Sequence, residues 1–365
     1  MMTLAQKTLV FLGTAICLLG FPLVGIWLTD RPIGLYLRFP PVSGYVQHAP
    51  FNRVIFCIGL IVLLFVAGFV FYLLKPALSQ KRDSPRAVFP WWGRAGLVLM
   101  LTSWIFAWNR FSWFSPLQAY TFFPLWLGFI LSVNGVTCWL SGTCLVTRKP
   151  IRFLLLFPIS SLFWWYFEWM NRFVQNWYYI GIENFTAEGY VLHATLCFAT
   201  VLPAVQATSE LLHVFLATES VVGPRVLLLT GKKAGWALTI SMAFVLVVLP
   251  LAPDLLFPFV WISPLLFVTG MQLIRDKKTI FHPLVSRSWG PILIPGLAAL
   301  ICGFFWEMWN WKSLVHWEYS IPYVNCCHIF KMPLLGYLGY LPFGIECSMM
   351  TKIFSQIQSC PFASR

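Results

Sequence analysis

Ten runs of apolar residues follow one another along this chain, separated by short polar connections. They cover residues 8–28, 54–74, 95–109, 119–140, 153–173, 190–214, 235–252, 256–274, 290–310 and 332–354. A helix of about 20 apolar residues is long enough to cross the hydrocarbon core of a bilayer. Composition agrees: 59% of the 365 residues are hydrophobic and 10% are charged, whereas a soluble domain carries about 25% charged residues. The expected fold class is therefore an all-α polytopic membrane protein with about ten transmembrane helices. No connection is long enough to form a soluble domain. The first run follows Lys7, contains Pro22 and lacks a small-x-small cleavage site, so it reads as a retained span, not a signal peptide.

The net charge of +13 does not call for nucleic acid, because its distribution fits the loop bias that orients helices in membranes. Alternate connections hold Lys75, Lys81, Arg82, Arg86 and Arg94; Arg148, Lys149 and Arg152; Arg225, Lys232 and Lys233; and Arg275, Lys277, Lys278 and Arg287. With Lys7, Lys352 and Arg365, that side carries 18 basic residues against seven on the other. Both termini are then expected in the cytoplasm, with the chain in a bacterial inner membrane.

Within this frame one short pattern occurs twice. Glu168-Trp169-Met170-Asn171 precedes Trp177-Tyr178-Tyr179, and Glu307-Met308-Trp309-Asn310 precedes Trp317-Glu318-Tyr319. Each copy reads E-x-x-N, then W-x-Y, at the outer end of an apolar run. Residues three apart share a helix face, so each copy presents a carboxyl beside an amide. Ala95-Gly96 and Ala234-Gly235 match at the same spacing of 139, and Trp126 and Gly135 match Trp261 and Gly270 at 135. These matches imply a duplication of four spans. Two parallel four-helix repeats, 91–218 and 219–365, follow two N-terminal helices and a basic loop in 1–90. An even number of spans per repeat gives both copies the same orientation.

Ionisable groups at membrane depth are costly and mark functional sites by default. Glu168, Glu307 and Glu346 are accordingly the candidate catalytic acids, the last lying four residues after Pro342. Asn171, Asn310, Trp177, Tyr179, Trp317, Tyr319 and His316 are the candidate substrate-binding residues. A carboxyl held neutral near pH 7 can act as a general acid, and aromatic faces stabilise cations. Together they suit chemistry that protonates a double bond and shelters a carbocation. A plainer reading stands beside this one: Trp and Tyr near span ends anchor helices at the interface, and Glu–Asn pairs bond neighbouring helices. Lys331 is placed to pair with Glu307 or Glu318. Cys326-Cys327-His328 is the one metal-like cluster among ten scattered cysteines, but two further ligands are missing for tetrahedral ligation. No cofactor or metal is expected.

At these motifs the sequence resembles the integral-membrane lycopene cyclase and carotenoid hydratase families. The shared features are Glu168…Trp177-x-Tyr179 and Glu307…Trp317-x-Tyr319…Pro342…Glu346, about a third of the chain. The resemblance implies redox-neutral chemistry on a polyisoprenoid. The cyclases have three-span units and a paired Pro-x-Glu-Glu motif; this chain has four-span units and lacks that motif. The expected function is an integral membrane enzyme modifying a lipid or isoprenoid by acid/base chemistry in an outward-facing polar–aromatic cavity. A proton-coupled transporter or flippase and a non-enzymatic scaffold are the alternatives. Expected partners are membrane lipids and a hydrophobic small molecule.

Overall fold

The computed structural model describes residues 4–41, 43–79 and 87–358. Lys81, Arg82, Arg86, Cys360 and Arg365 lie outside the described residues. The rest is mostly helical, with little sheet. The helices are α1 Leu4–Trp27, α2 Ile33–Tyr36, α3 Arg53–Leu78, α4 Trp91–Trp108, α5 Phe122–Ser141, α6 Leu145–Arg148 and α7 Pro150–Val174. They continue as α8 Ala187–Phe198, α9 Val201–Phe215, α10 Gly231–Val248, α11 Pro253–Leu256, α12 Ser263–Ile274, α13 Gly290–Asn310 and α14 Tyr340–Gln358. Four short strands are β1 Trp177–Ile180, β2 His316–Tyr319, β3 His328–Ile329 and β4 Met332–Pro333.

Among the described residues, seven helical stretches are long and apolar enough to cross a membrane, or eight if the bent pair of Pro253–Trp261 and Ser263–Ile274 counts as one. That is fewer than the ten expected. The regions drawn as spans 95–109 and 332–354 do contain helices, α4 and α14, but neither meets that standard. Trp91, Trp92, Gly93 and Arg94 dilute α4. Residues 332–339 form β4 and a 3₁₀ turn, so α14 starts only at Tyr340. The run 256–274 is not a straight helix: it turns by 58° between Pro253–Trp261 and Ser263–Ile274. Pro258 and Pro264 flank the turn, and each removes a backbone donor.

Helix ends follow local chemistry. Asn52 caps α3 by accepting from Val54 and Ile55 N–H at 3.0 and 3.1 Å. Pro150 opens α7, where its missing N–H costs nothing. Gln175 ends α7 in the left-handed region, φ 51°, and turns the chain into β1.

Close packing is set by small residues. α4 lies along α5 and α10 along α12. A Cβ on Gly96 would come within 3.0 Å of the Gly128 carbonyl, and one on Gly235 within 2.8 Å of the Gly270 carbonyl. Backbones approach this closely only where side chains are absent. Gly96 therefore faces Gly128, while Gly135, aligned with Gly270 by sequence, faces Gly93. α9 fits among α5, α7 and α13, and α13 packs along α14. α3 stays peripheral, with only Leu73 and Ala77 buried.

The core is aromatic. Trp126, Trp309, Phe167 and Phe343 are its largest fully buried side chains. Trp126 of α5 packs against Trp306 and Trp309 of α13, with centroids 5.0 Å apart in both cases. Trp261 stacks on Phe167 of α7 at 5.1 Å. Each tryptophan thus packs on the motif helix that belongs to the other copy.

Candidate functional site

The two W-x-Y segments pair with each other. β1 and β2 are antiparallel, with Trp177 opposite Tyr319, Tyr178 opposite Glu318, Tyr179 opposite Trp317 and Ile180 opposite His316. Antiparallel pairing in which each tryptophan faces the other copy's tyrosine places an approximate twofold axis between the strands.

The asparagines of E-x-x-N hold this ladder in place. Asn171 Nδ2 donates to the Trp177 carbonyl at 2.7 Å, and Asn171 Oδ1 accepts from Asn176 N–H at 2.9 Å. Asn310 Nδ2 donates to the Trp317 carbonyl at 2.7 Å, and its Oδ1 accepts from Trp317 N–H at 2.8 Å. Both side chains are fully buried. Asn171 and Asn310, expected to bind substrate or orient the acids, bond the backbone of the strand segments. They satisfy backbone groups that would otherwise be orphaned where a helix turns into a strand.

The glutamates gather the aromatic donors. Glu168 Oε1 accepts from Tyr179 Oη at 2.6 Å and from Trp164 and Trp177 Nε1, each at 3.1 Å. Glu307 Oε1 accepts from Tyr319 Oη at 2.7 Å and Tyr340 Oη at 2.9 Å, while Trp317 Nε1 donates to Tyr319 Oη at 2.8 Å. Glu307 Oε2 is buried and has no partner. The copies differ because position 303, which matches Trp164, is glycine. Tyr340 fills the space and supplies the second donor to Glu307.

One cavity of about 600 Å³ brings the two clusters together. Trp164, Trp177, Tyr179, Trp317, Tyr319 and Tyr340 line it, with Trp261, Trp306 and Phe343. Every aromatic donor to Glu168 or Glu307 is on that wall, and the carboxyls stand behind it. Asn176 lines the cavity with a buried, unpartnered Oδ1. His316 takes the corresponding place in the second copy, with its Nδ1 3.2 Å from the Leu314 carbonyl.

Glu346 does not join them. It is 1% exposed, and its Oε1 accepts from Leu265 N–H at 2.9 Å. That amide belongs to the first turn of α12, where free N–H groups and the helix dipole favour a carboxylate. The bend before α12 creates the amide end that Glu346 caps, while its Oε2 is buried without a partner.

Charge at the motif end is arranged around Glu318. Lys331 pairs with it at 2.6 Å, and Tyr178 Oη donates to it at 3.0 Å. The Lys331 ammonium holds Glu318 below the usual carboxylate range. Burial first, then the Glu318 carboxylate, pushes the Tyr178 hydroxyl up to about 12. Lys331 thus pairs with Glu318, the second of its two expected partners.

The loop between α1 and α3 is tied across this end. Asp254 accepts from Ala49 N–H at 2.8 Å and lies 2.6 Å from His48 Nδ1, whose Nε2 is 3.2 Å from the Gln175 carbonyl. Ser320 Oγ donates to the Val46 carbonyl at 2.6 Å. Arg172 donates to the carbonyls of Tyr36 and Arg38. Sequence reasoning named neither Asp254, His48 nor Tyr340 as site residues. Only the glycine at the Trp164-equivalent position hinted that another ring enters there. At Cys326 and Cys327 the sulfurs are 3.1 Å apart, while His328 bonds Asn325 at 2.9 Å. Among the described residues no three His, Cys, Asp or Glu side chains group to hold a metal ion.

No family model, curated protein or solved structure matches this chain.

Proposed function

We propose that the chain is an integral membrane enzyme that takes a lipid- or isoprenoid-like molecule into the aromatic cavity and rearranges it by proton transfer. The cavity lies on the outer side, with both termini cytoplasmic. The chain comprises two N-terminal helices in 1–90 and two similarly oriented four-helix halves, 91–218 and 219–365. The apolar helices and the distribution of Lys and Arg support the location. The matching local structures of the two motifs support the duplication.

The observation that carries the functional reading is the convergence of two buried carboxyls on tyrosines of one aromatic wall. Each tyrosine hydroxyl donates a hydrogen bond to a carboxyl oxygen and keeps a lone pair for substrate. When the Tyr179 oxygen accepts a substrate proton, the tyrosine's own proton passes to Glu168. The reverse passage, from protonated Glu307 through Tyr319 or Tyr340, returns a proton to another substrate atom. The tyrosines end unchanged, Glu168 ends protonated and Glu307 ionised, and proton exchange with solvent resets the two carboxyls; no electrons are gained or lost. Aromatic faces around the cavity stabilise positive charge that develops between the two transfers. The low-dielectric wall strengthens these electrostatic effects.

The test is lipid and pigment profiling of a deletion strain complemented with wild-type chain or with the Glu168→Gln, Glu307→Gln or Tyr179→Phe variant. The expected result is a lost product and an accumulated isomeric or dehydrated precursor, restored by the wild type alone. Full complementation by both glutamine variants would rule out proton transfer.

A transporter or flippase is the second reading, and one observation favours it. A second, smaller cavity lies further along the same helices. Val201 and Phe343 line the first cavity, and Leu202 and Cys347 line the second. The wall between them spans roughly one helical turn, about 6 Å. In the same strain, unchanged lipid chemistry with altered leaflet distribution would select this reading.

A further inference from the structure

The second cavity, of about 300 Å³, is an open pocket lined by α7, α9, α13 and α14 at the ends away from the strand pair. Its polar lining includes Arg152, Gln206, Ser209, Ser348, Thr351 and Lys352, and no carboxylate lines it. Nearby basic residues are neutralised: Arg148 pairs with Glu210 at 2.5 Å and Lys232 with Asp276 at 3.2 Å. Arg152 and Lys352 have no such partner among the described residues. Two cations facing one small cavity repel each other and want an anion between them.

The lining carries the same internal spacing as the motifs. Ser209 and Ser348, His213 and Lys352, and Arg152 and Pro291 are each 139 positions apart, as are Glu168 and Glu307. The matched residues of both halves meet in one cavity, so it lies near the same approximate twofold axis as the aromatic one. His213 is already engaged, with Nδ1 3.1 Å from Thr218 Oγ1. Pro291 is in the first turn of α13, a helix of 21 residues, so a positive helix end adds to the field in the cavity.

We propose that this cavity binds a phosphate group. An arginine fork, a lysine point charge and serine hydroxyls from both halves match tetrahedral oxygens. The cavity would take the group as a lipid headgroup or as free phosphate. Basic pockets between apolar helices are suited to anionic headgroups.

Native mass spectrometry of the full, delipidated chain in detergent tests this with three probes: inorganic phosphate, a short-chain phosphatidic acid, and the matching diacylglycerol. The phosphate-bearing probes bind, the diacylglycerol does not, and Arg152→Gln/Lys352→Gln weakens binding about tenfold or more. Arg152→Lys retains binding. Lys232→Gln/Lys277→Gln, which removes two charges elsewhere, binds like the wild type. Binding of inorganic phosphate identifies a free-anion site, and binding of phosphatidic acid alone identifies a headgroup site. If the double variant fails to fold, the single variants Arg152→Gln and Lys352→Gln are read instead, each weakening binding severalfold. Wild-type chain that ignores both phosphate probes, or variants that bind as tightly as the wild type, would overturn the proposal.

Discussion

The ring of Tyr340 occupies the place where a side chain at position 303 would stand. A Cβ on Gly303 would come within 2.5 Å of that ring, and the Tyr340 hydroxyl reaches Glu307 at 2.9 Å. Gly303→Ala should therefore push the ring aside and take a donor from a buried carboxyl. Overpacking of this kind costs about 1–3 kcal/mol. Tyr340→Ala should relieve the clash, so the double variant should be more stable than the sum of the two single losses. Thermal unfolding in detergent of the four forms measures this coupling; strict additivity would mean that the two positions do not interact.

Asn171→Ala and Asn310→Ala should each lower stability by about 1–3 kcal/mol, because each strands buried backbone groups of the W-x-Y segment. The two losses should be similar, since the bonding is alike in both copies. Urea or thermal unfolding checks this. A loss in one copy only would show that the two turns are not equivalent.

Glu318 has a lowered folded pKa, so its contribution is present above the ordinary glutamate value of about 4.3 and is lost as pH falls through the lowered value. The wild-type chain should lose stability across that acid window, and Glu318→Gln should show a flatter profile there. Unfolding midpoints measured from pH 6 down to about pH 3 decide it. Parallel profiles would remove Lys331–Glu318 as an acid-sensitive contact.

Gly235→Leu should separate α10 from α12. A Cβ there would already lie 2.7 Å from the Ile274 backbone nitrogen, which cannot yield as a flexible side chain would. We expect a loss of more than about 2 kcal/mol. Leucine at Gly68, where nothing lies within 4 Å of the added Cβ, should be tolerated in the same assay.

Much of this arrangement can be read from the chain, and the exceptions have physical causes. Glu168 with Asn171 and Glu307 with Asn310 are visible because helical spacing puts each pair on one face. The pairing of Trp177 with Tyr319 is not visible: four-residue strands carry little pattern, and the two residues lie 142 positions apart. Tyr340 was missed because it enters from a different helix than the motif it serves. The setting of Glu346 was not visible for a related reason. An acid within an apolar run reads as functional, but here it caps α12, and that helix end exists only because the apolar run 256–274 bends. The ten apolar runs outnumber the stretches long and apolar enough to cross, in part because hydropathy alone does not separate β4 and the 3₁₀ turn before α14 from a helix.

The ladder between β1 and β2 constrains how the two motif helices can move. A slip of one residue would send each tryptophan and tyrosine to the opposite face of the ribbon, away from its glutamate. The helices can hinge about the ribbon but cannot slide past each other. Any widening of the cavity that keeps this ladder intact is then a hinging of α7 and α13 about the ribbon.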